Sequence, residues 1–502
     1  VNEEKPPRPG LSLLQRALLG SFLIFILTAA ATATAALLEV DKLVTTFRDA
    51  NTGDVQVEAS LLDDVDGGGP QTIMVLGSDR RFADIKSKAP ARSDTIILVR
   101  LNPDRGATAV MSLPRDLKVQ IPGHGTDKIN AAYAIGGPSL TFRTVKRLMA
   151  DASIDGSFPI HHVVNVNFGG FQRAVNRLGC VYADIDRDYF NDNRPPFGGG
   201  PNYAAIDINA GYQKICGRDS LDFVRYRHFD SDLVRGARQQ EFLRQAKEQI
   251  GVSKLFNDRE QLVRIFGRYT DTDIRSTKAI LRLLKLALES AQKPVQEVQF
   301  PGEVTGTYVE VSHEKLADIV DRFMNAKASP GSRGSEKETG PAPKRRARKA
   351  GVAPGLQLAK IPGEDVAALL SRKLAFPVYY PKLMRVGGSY LKNDSRTYDI
   401  YDRGKPRKRY RAYRIVVRTR EIGQYYGVQG MTWKSPPILD NPSETRTIRK
   451  RKYELFFDGN RLRLVAWRTE RAVYWVSNTL LHSLTNKQML GIAGSLSRVG
   501  QK

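Results

Sequence analysis

Cysteine is nearly absent from this chain: Cys180 and Cys216 are the two in 502 residues. No histidine stands close to either of them, so a tetrahedral zinc site of thiolates and imidazoles is excluded. Two readings of the pair remain. One is a disulfide, favoured in an oxidising compartment; the other is two isolated buried thiols. Acidic side chains are also short, 53 against 78 Lys and Arg, which leaves a formal net charge of +25. That excess implies an anionic partner or surface without choosing between nucleic acid, acidic lipid, wall polymer and diphosphate. Apolar residues are not scarce. At 41% they allow a large core and exclude disorder over the whole chain. The length suits two folded domains with accessory segments.

One stretch lacks charge altogether. The 22 residues between Arg16 and Glu39 carry none, enough to cross a bilayer as a helix. Lys5, Arg8 and Arg16 precede the run, so the N-terminus stays in the cytoplasm and the remainder lies outside. The run "ATATAA" offers cleavage sites, and a cleaved signal peptide is the alternative; the run exceeds a usual signal core, which favours a retained anchor. Either way the basic bulk faces away from genomic nucleic acid. The expected division is a cytoplasmic end at 1–16, a transmembrane helix at 17–38 and a stalk at 39–70.

Residues 71–325 read as a layered α/β/α domain with a mixed central sheet. "TIMVLG" (72–77), "HHVVNV" (161–166) and "CVYADI" (180–185) are strand-like, and "TIILVRL" (95–101) and "ATAVMSL" (107–113) form a hairpin across "NPDRG". "PSLTFRTVKRLMA" (138–150) and "FGGFQRAVNRLG" (168–179) have helical spacing, as does "RQQEFLRQAKEQI" (238–250), with Phe242, Leu243, Ala246 and Ile250 on one face. A basic Pro/Gly/Ser linker at 326–355 follows. Residues 356–502 read as a smaller α+β module, rich in hairpins and without a catalytic constellation.

Chemistry-bearing positions gather in the first of these units. Asp79 follows one strand and Asp94 opens the next. Two carboxylates near one sheet edge suit Mg²⁺, a hard cation held by one or two carboxylates and substrate phosphates. In "SLPRD" (112–116), Pro114 ends a strand and releases Arg115 at its edge. Lys128 in "TDKIN" is a mobile cation beside it. "VRYRHFDSDLVRGARQQEF" (224–242) then places Arg225 and Arg227 two apart, on one side of an extended segment. Arg235 and Gln239 are four apart, on one face of a helix start that itself favours an anion. Guanidinium forks match phosphate oxygens.

Taken together, "LGSDRR", "ARSDTIILVRLNP", "MSLPRD", "DKINAAYAIGG", "NFGGFQRAVNRLG" and "LDFVRYRHFDSDLVRGARQQ" resemble the LytR-CpsA-Psr family of cell-envelope enzymes over residues 70 to 250. The resemblance implies a membrane-anchored, extracytoplasmic phosphotransferase. It would move a glycopolymer from a polyprenyl diphosphate carrier to peptidoglycan and form a phosphodiester. It implies Mg²⁺, with Mn²⁺ as the alternative, held by Asp79 and Asp94, with Arg92 in the same site. Arg115, Lys128, Arg225, Arg227, Arg235 and Gln239 would grip the diphosphate, and Asp232 is the acid before the last arginine; Asp94 or Asp232 would serve as general base. Where the family often has a second glycine this chain has Cys180, which favours the Cys180–Cys216 disulfide. Composition hints at a bacterial envelope of actinobacterial type. Two other functions stay open: a phosphohydrolase that cleaves polyprenyl diphosphate, and a non-catalytic envelope scaffold that binds polyanions.

Overall fold

The computed structural model describes residues 39, 41–50, 57, 61–64, 69–78, 93–192, 205–226, 230–250, 254, 257–274, 276, 279–280, 295–326, 352–404, 406–448 and 451–500. The first unit is built on strands β1 (Gln71–Ser78), β2 (Ser93–Asn102) and β3 (Ala107–Leu113). β2 and β3 form the expected hairpin: the turn closes through Gly106 N to Pro103 O at 3.3 Å and Arg105 N to Asn102 Oδ1 at 3.2 Å. Strands β4 (Lys118–Ile121) and β5 (Gly125–Lys128) lead into helix α1 (Ile129–Ala152), which bends at Gly136 and Gly137, just ahead of Pro138. β6 (His162–Asn167) passes directly into α2 (Phe168–Arg177).

β7 (Val181–Ile185) pairs with β10 (Gly211–Ile215), and β8 (Tyr189–Asn191) with β9 (Ile206–Ile208). Helices α3 (Gly217–Arg225), α4 (Asp232–Gln249) and α5 (Arg259–Tyr269) follow, then β11 (Thr270–Thr272), β12 (Val295–Glu297), the pair β13 (Glu303–Thr305) and β14 (Tyr308–Glu310), and α6 (His313–Met324).

The central sheet runs β11-β6-β1-β2-β3-β12 and is mixed: β1 is antiparallel to β2 and parallel to β6. Alternate residues of β1 serve opposite faces, as a strand requires. Met74 and Leu76 pack with Phe142 and Val145 of α1 and Phe323 of α6; Ile73 packs with Val164, Val44 and Phe47. Residues 41–50 are therefore a helix laid on the sheet, and that part of the expected stalk belongs to the fold. The expected membrane helix lies outside the described residues, among which no helix is long and apolar enough to cross a membrane.

The second unit is a seven-stranded antiparallel sheet. After the short strands β15 (Leu356–Leu358), β16 (Tyr379–Pro381) and β17 (Leu383–Arg385), its strands are β18 (Ser389–Tyr401), β19 (Arg409–Arg418), β20 (Tyr425–Met431), β21 (Glu444–Ile448), β22 (Arg451–Asp458), β23 (Arg461–Arg468) and β24 (Val473–Ser477). Helices α7 (Lys360–Ser371) and α8 (Asn486–Gly494) cover one face, with Val366, Leu370, Met489 and Ile492 against Tyr413, Ile415 and Trp467. The centre of the other face does not meet solvent. Tyr398, Leu464 and Trp475 pack there with Tyr182 and Tyr212 of the first unit. Burial on both faces explains why residues 415–417 of β19, 464–467 of β23 and 473–476 of β24 read as short apolar runs rather than as alternating strands.

Candidate functional site

One edge of the central sheet collects the chain segments that matter. Ser78, the residue before Asp79, pairs with Ser93, the residue before Asp94, and also with Asn167, where β6 passes into α2. β3 ends beside them at Leu113 because Pro114 has no N–H to continue the ladder. The chain then turns, and Arg115, buried, sits where the sequence places it. Its carbonyl accepts from Asn130 N at 3.1 Å, which fastens the start of α1 to this edge.

α4 crosses the same edge. Ser231 caps it, accepting from Val234 N at 3.3 Å. Gly236 lets the helix approach β3 closely, since a side chain there would come within 3.2 Å of Ser112 Oγ. Gln239 can then reach across the sheet edge: its Nε2 donates to Thr95 Oγ1 at 3.0 Å and to Val224 O at 3.2 Å, and its Oε1 accepts from Ser112 at 3.4 Å. Asp232, in the first turn, accepts from the Arg115 backbone N–H through Oδ2 and pairs with the Arg235 guanidinium through Oδ1. The Arg115 guanidinium lies 3.9 Å from Asp232 Oδ1 and 3.6 Å from Asp116, and Lys128 Nζ lies 3.0 Å from Asp116.

The result is an alternating line of charge, Lys128–Asp116–Arg115–Asp232–Arg235, with Gln239 one turn beyond. Arg235 is 3% exposed, and its Nε and Nη1 have no hydrogen-bond partner among the described residues. A buried guanidinium with two donors unfilled is costly unless an anion completes it. Oxygens of a diphosphate have the charge and geometry to do so.

Sequence reasoning placed Arg115, Lys128, Asp232, Arg235 and Gln239, and the structure brings these five together. Two corrections follow. Arg225 is the last residue of α3 rather than part of an extended segment, so the same-side argument linking it to Arg227 does not hold; the i→i+4 ladder runs on to Tyr226 N, which donates to Asp222 O at 3.0 Å. Arg225 instead stacks on Phe168, at the start of α2, with 5.0 Å to the ring centre. α4 runs from Asp232 and so includes Arg235, as the helix-start reading requires, but Leu243 of the expected apolar face is exposed while Arg238, Gln240, Arg244 and Gln245 are buried. Asp79, Arg92 and Arg227 lie outside the described residues, as does the side chain of Asp94.

Asp116, Thr95, Ser112 and Arg238 were missed. Asp116 stood in the quoted "PRD", and Arg238 between Arg235 and Gln239; a helix wheel begun at Asp232 would have shown Arg238 on an inward face. The Cys180–Cys216 disulfide is formed. Cys180 has φ +66°, a left-handed conformation that glycine adopts without cost.

The family model described as the LytR_cpsA_psr family matches residues 34–325. The chain belongs to the LytR-CpsA-Psr family. Its relatives include the polyisoprenyl-teichoic acid–peptidoglycan teichoic acid transferase TagT of Bacillus subtilis (strain 168), 28% identical over 51% of this chain and 76% of that protein. TagU of Oceanobacillus iheyensis, which carries the same transferase name, is 31% identical over 49% of this chain and 72% of its own length. Among solved structures, a LytR-CPS2A-psr family protein, TagT, with bound octaprenyl pyrophosphate lipid is 26% identical with a TM-score of 0.39, covering 54% of this chain and 95% of that one. The family assignment rests on the sequence match.

Asp79 and Asp94 supply hard carboxylate oxygens, the donor type that suits Mg²⁺. Ser78 and Ser93, the residues that precede them, are paired strand partners.

Proposed function

We propose that this protein is a membrane-anchored, extracytoplasmic phosphotransferase that moves a glycopolymer from a polyprenyl diphosphate carrier to peptidoglycan. The observation that carries the reading is the buried cluster of Arg115, Asp232, Arg235 and Gln239 at one sheet edge, with two Arg235 donors unfilled among the described residues. The names of the teichoic acid transferases among its relatives support the same reaction class. A sugar hydroxyl of peptidoglycan attacks the phosphorus that bears the glycan. The new P–O bond forms as the bridging P–O bond breaks, polyprenyl monophosphate leaves, and the hydroxyl proton passes to a general base, the role left to Asp94.

A diphosphate ester repels a hydroxyl nucleophile through its negative charge, so the task is to neutralise and position the phosphoryl group. Arg115 and Arg235 do this directly, and Gln239 fixes the helix against β2 and β3. Asp232 has both oxygens engaged with the two arginines; it orients them and is not placed to take the nucleophile's proton. Bound Mg²⁺ at Asp79 and Asp94 would add charge neutralisation at the same phosphates. The uncharged segment at 17–38 would keep the domain where the lipid carrier resides.

The test supplies the full chain with a polyprenyl diphosphate-linked glycan, with and without peptidoglycan and with and without a chelator. Covalent glycan on peptidoglycan, lost on chelation, is the expected result. Release of free phosphorylated glycan regardless of acceptor would make the protein a phosphohydrolase, and absence of turnover together with absence of diphosphate binding would overturn both.

A further inference from the structure

α4 is mostly polar, yet it is buried on nearly every side. The second unit covers its outer face from end to end. Val234 and Ala237 form a small core with Leu480, Glu241 faces Arg463 at 3.9 Å, and Arg403 donates to Gln249 O at 3.2 Å. The turn between β19 and β20 sits at the head of the helix. Gly423, at φ +72°, is so close that a side chain there would come within 3.1 Å of both Asp230 Oδ1 and a Val234 methyl.

Beneath that turn lies a buried knot of charge. Asp230, two residues before α4, accepts from Arg187 at 2.6 Å and pairs also with Arg238. Arg238 in turn donates to Phe223 O at 3.2 Å and to Tyr226 O at 2.9 Å, which ties the end of α3 to the head of α4. Arg187 is enclosed by aromatic rings: its guanidinium is 4.5 Å from the centre of Tyr189, 5.2 Å from Tyr226 and 5.1 Å from Tyr425. Tyr189 and Tyr226 belong to the first unit. Tyr425 is the first residue of β20, in the second.

We propose that the C-terminal unit braces the diphosphate site and that Tyr425 is the positioning residue through which it acts. The ring holds Arg187 against Asp230; Asp230 and Arg238 then fix the junction of α3 and α4, from which the chain supplies Arg225, Arg235 and Gln239. A clamp of guanidinium groups works only at fixed separations, and a displacement of about 1 Å costs on the order of 100-fold in rate. The effect on turnover rests on the function proposed above; the effect on the junction itself does not.

Two full-length variants test this, Tyr425→Ala and Tyr425→Phe, each read by amide hydrogen exchange across 223–240 and by separate kcat and KM for the polyprenyl diphosphate-linked glycan. Removing the ring should speed exchange at the junction and lower kcat at least about fivefold, with the cores of both units still protected. Phenylalanine keeps the ring and should match the parent in both measurements. Unchanged exchange at the junction in Tyr425→Ala, or equal impairment in the two variants, would overturn the proposal. If the parent chain turns over no such substrate, the function reading fails, and the exchange result alone decides the brace.

Discussion

Arg414 of the C-terminal sheet and Asp184 of β7 form an ion pair across the seam between the two units, 3.0 Å apart, with side chains 1% and 6% exposed. Ser477 Oγ accepts a second guanidinium bond at 2.9 Å, and Trp475 Nε1 donates to the same carboxylate at 3.3 Å. Breaking such a pair from one side leaves a lone charge in an apolar setting. Arg414→Met should therefore cost about 3–5 kcal/mol in a denaturant unfolding experiment. The double variant Asp184→Leu/Arg414→Met removes both charges and should recover a large part of that loss. If the double variant is no more stable than Arg414→Met alone, the pair is not the source of the cost.

Asp232 stands between Arg115 and Arg235 and orients both. Asp232→Asn keeps the shape but removes the charge that holds the guanidinium of Arg235. Diphosphate affinity and turnover should fall by about 10- to 100-fold. The acid limb of the pH–rate profile should keep its midpoint, because both Asp232 oxygens are engaged by the arginines. Loss of that limb in the variant would reassign Asp232 to proton transfer.

Much of this arrangement was legible before the fold was known, and the reason is local. The β2–β3 hairpin and Pro114 are written in short-range chemistry, so Arg115 could be placed at a strand end. Arg235 and Gln239 are one helical turn apart whatever the surroundings. What could not be read was the environment of α4. Its inward side carries Arg238, Arg244 and Gln245, which look like a solvated face until Asp230, Glu297 and the Asp184 backbone, distant in sequence or set off by a turn, are placed against them. The same blindness made Leu243 look like core and Arg225 look extended. Pairings between residues some 230 positions apart, such as Asp184 with Arg414, leave no periodic signal in either segment.

The seam also holds a cluster of titratable groups. Arg244 meets Glu297 at 2.8 Å, Glu248 at 3.1 Å and Glu241, while His482 and Asp458 approach to 3.7 Å. Burial, with Asp458 nearby, pushes Glu297 up from 4.5 to about 7, and burial among arginines pushes His482 down from 6.5 to about 3. With His482 neutral, its approach to Asp458 is not an ion pair. A carboxyl with a raised native pKa contributes stability that is complete below about pH 4.5 and lost as pH climbs through about 7. A histidine with a lowered one contributes above about pH 6.5 and loses that contribution as pH falls towards 3.

Relative to the parent, Glu297→Gln should therefore gain on the order of 2 kcal/mol as pH rises from about 4.5 to 7. His482→Asn should gain, relative to the parent, as pH falls below about 6.5. Unfolding midpoints across pH check both slopes; parallel curves for parent and variant would refute the assignment for that residue.

The disulfide closes a loop of 36 residues between Cys180 and Cys216. Its loss should cost about 3–4 kcal/mol through the freedom returned to the unfolded chain. Because Cys180 adopts φ +66°, the replacement matters. Cys180→Gly with Cys216→Ser should be about 1 kcal/mol more stable than Cys180→Ser with Cys216→Ser, since glycine adopts that backbone freely. Equal melting temperatures for the two double variants would count against the conformational part of this account.

α4 occupies positions 232–249, but the surface that seals it comes from residues 403–482. A growing chain can therefore form its central sheet long before it can dry its most polar helix. Until the last strands of the second sheet are in place, Val234, Ala237 and Glu241 of α4 lack their cover, and Arg187 lacks the Tyr425 ring. A chain that stops short of residue 403 should therefore still form the central sheet yet hold a diphosphate less firmly.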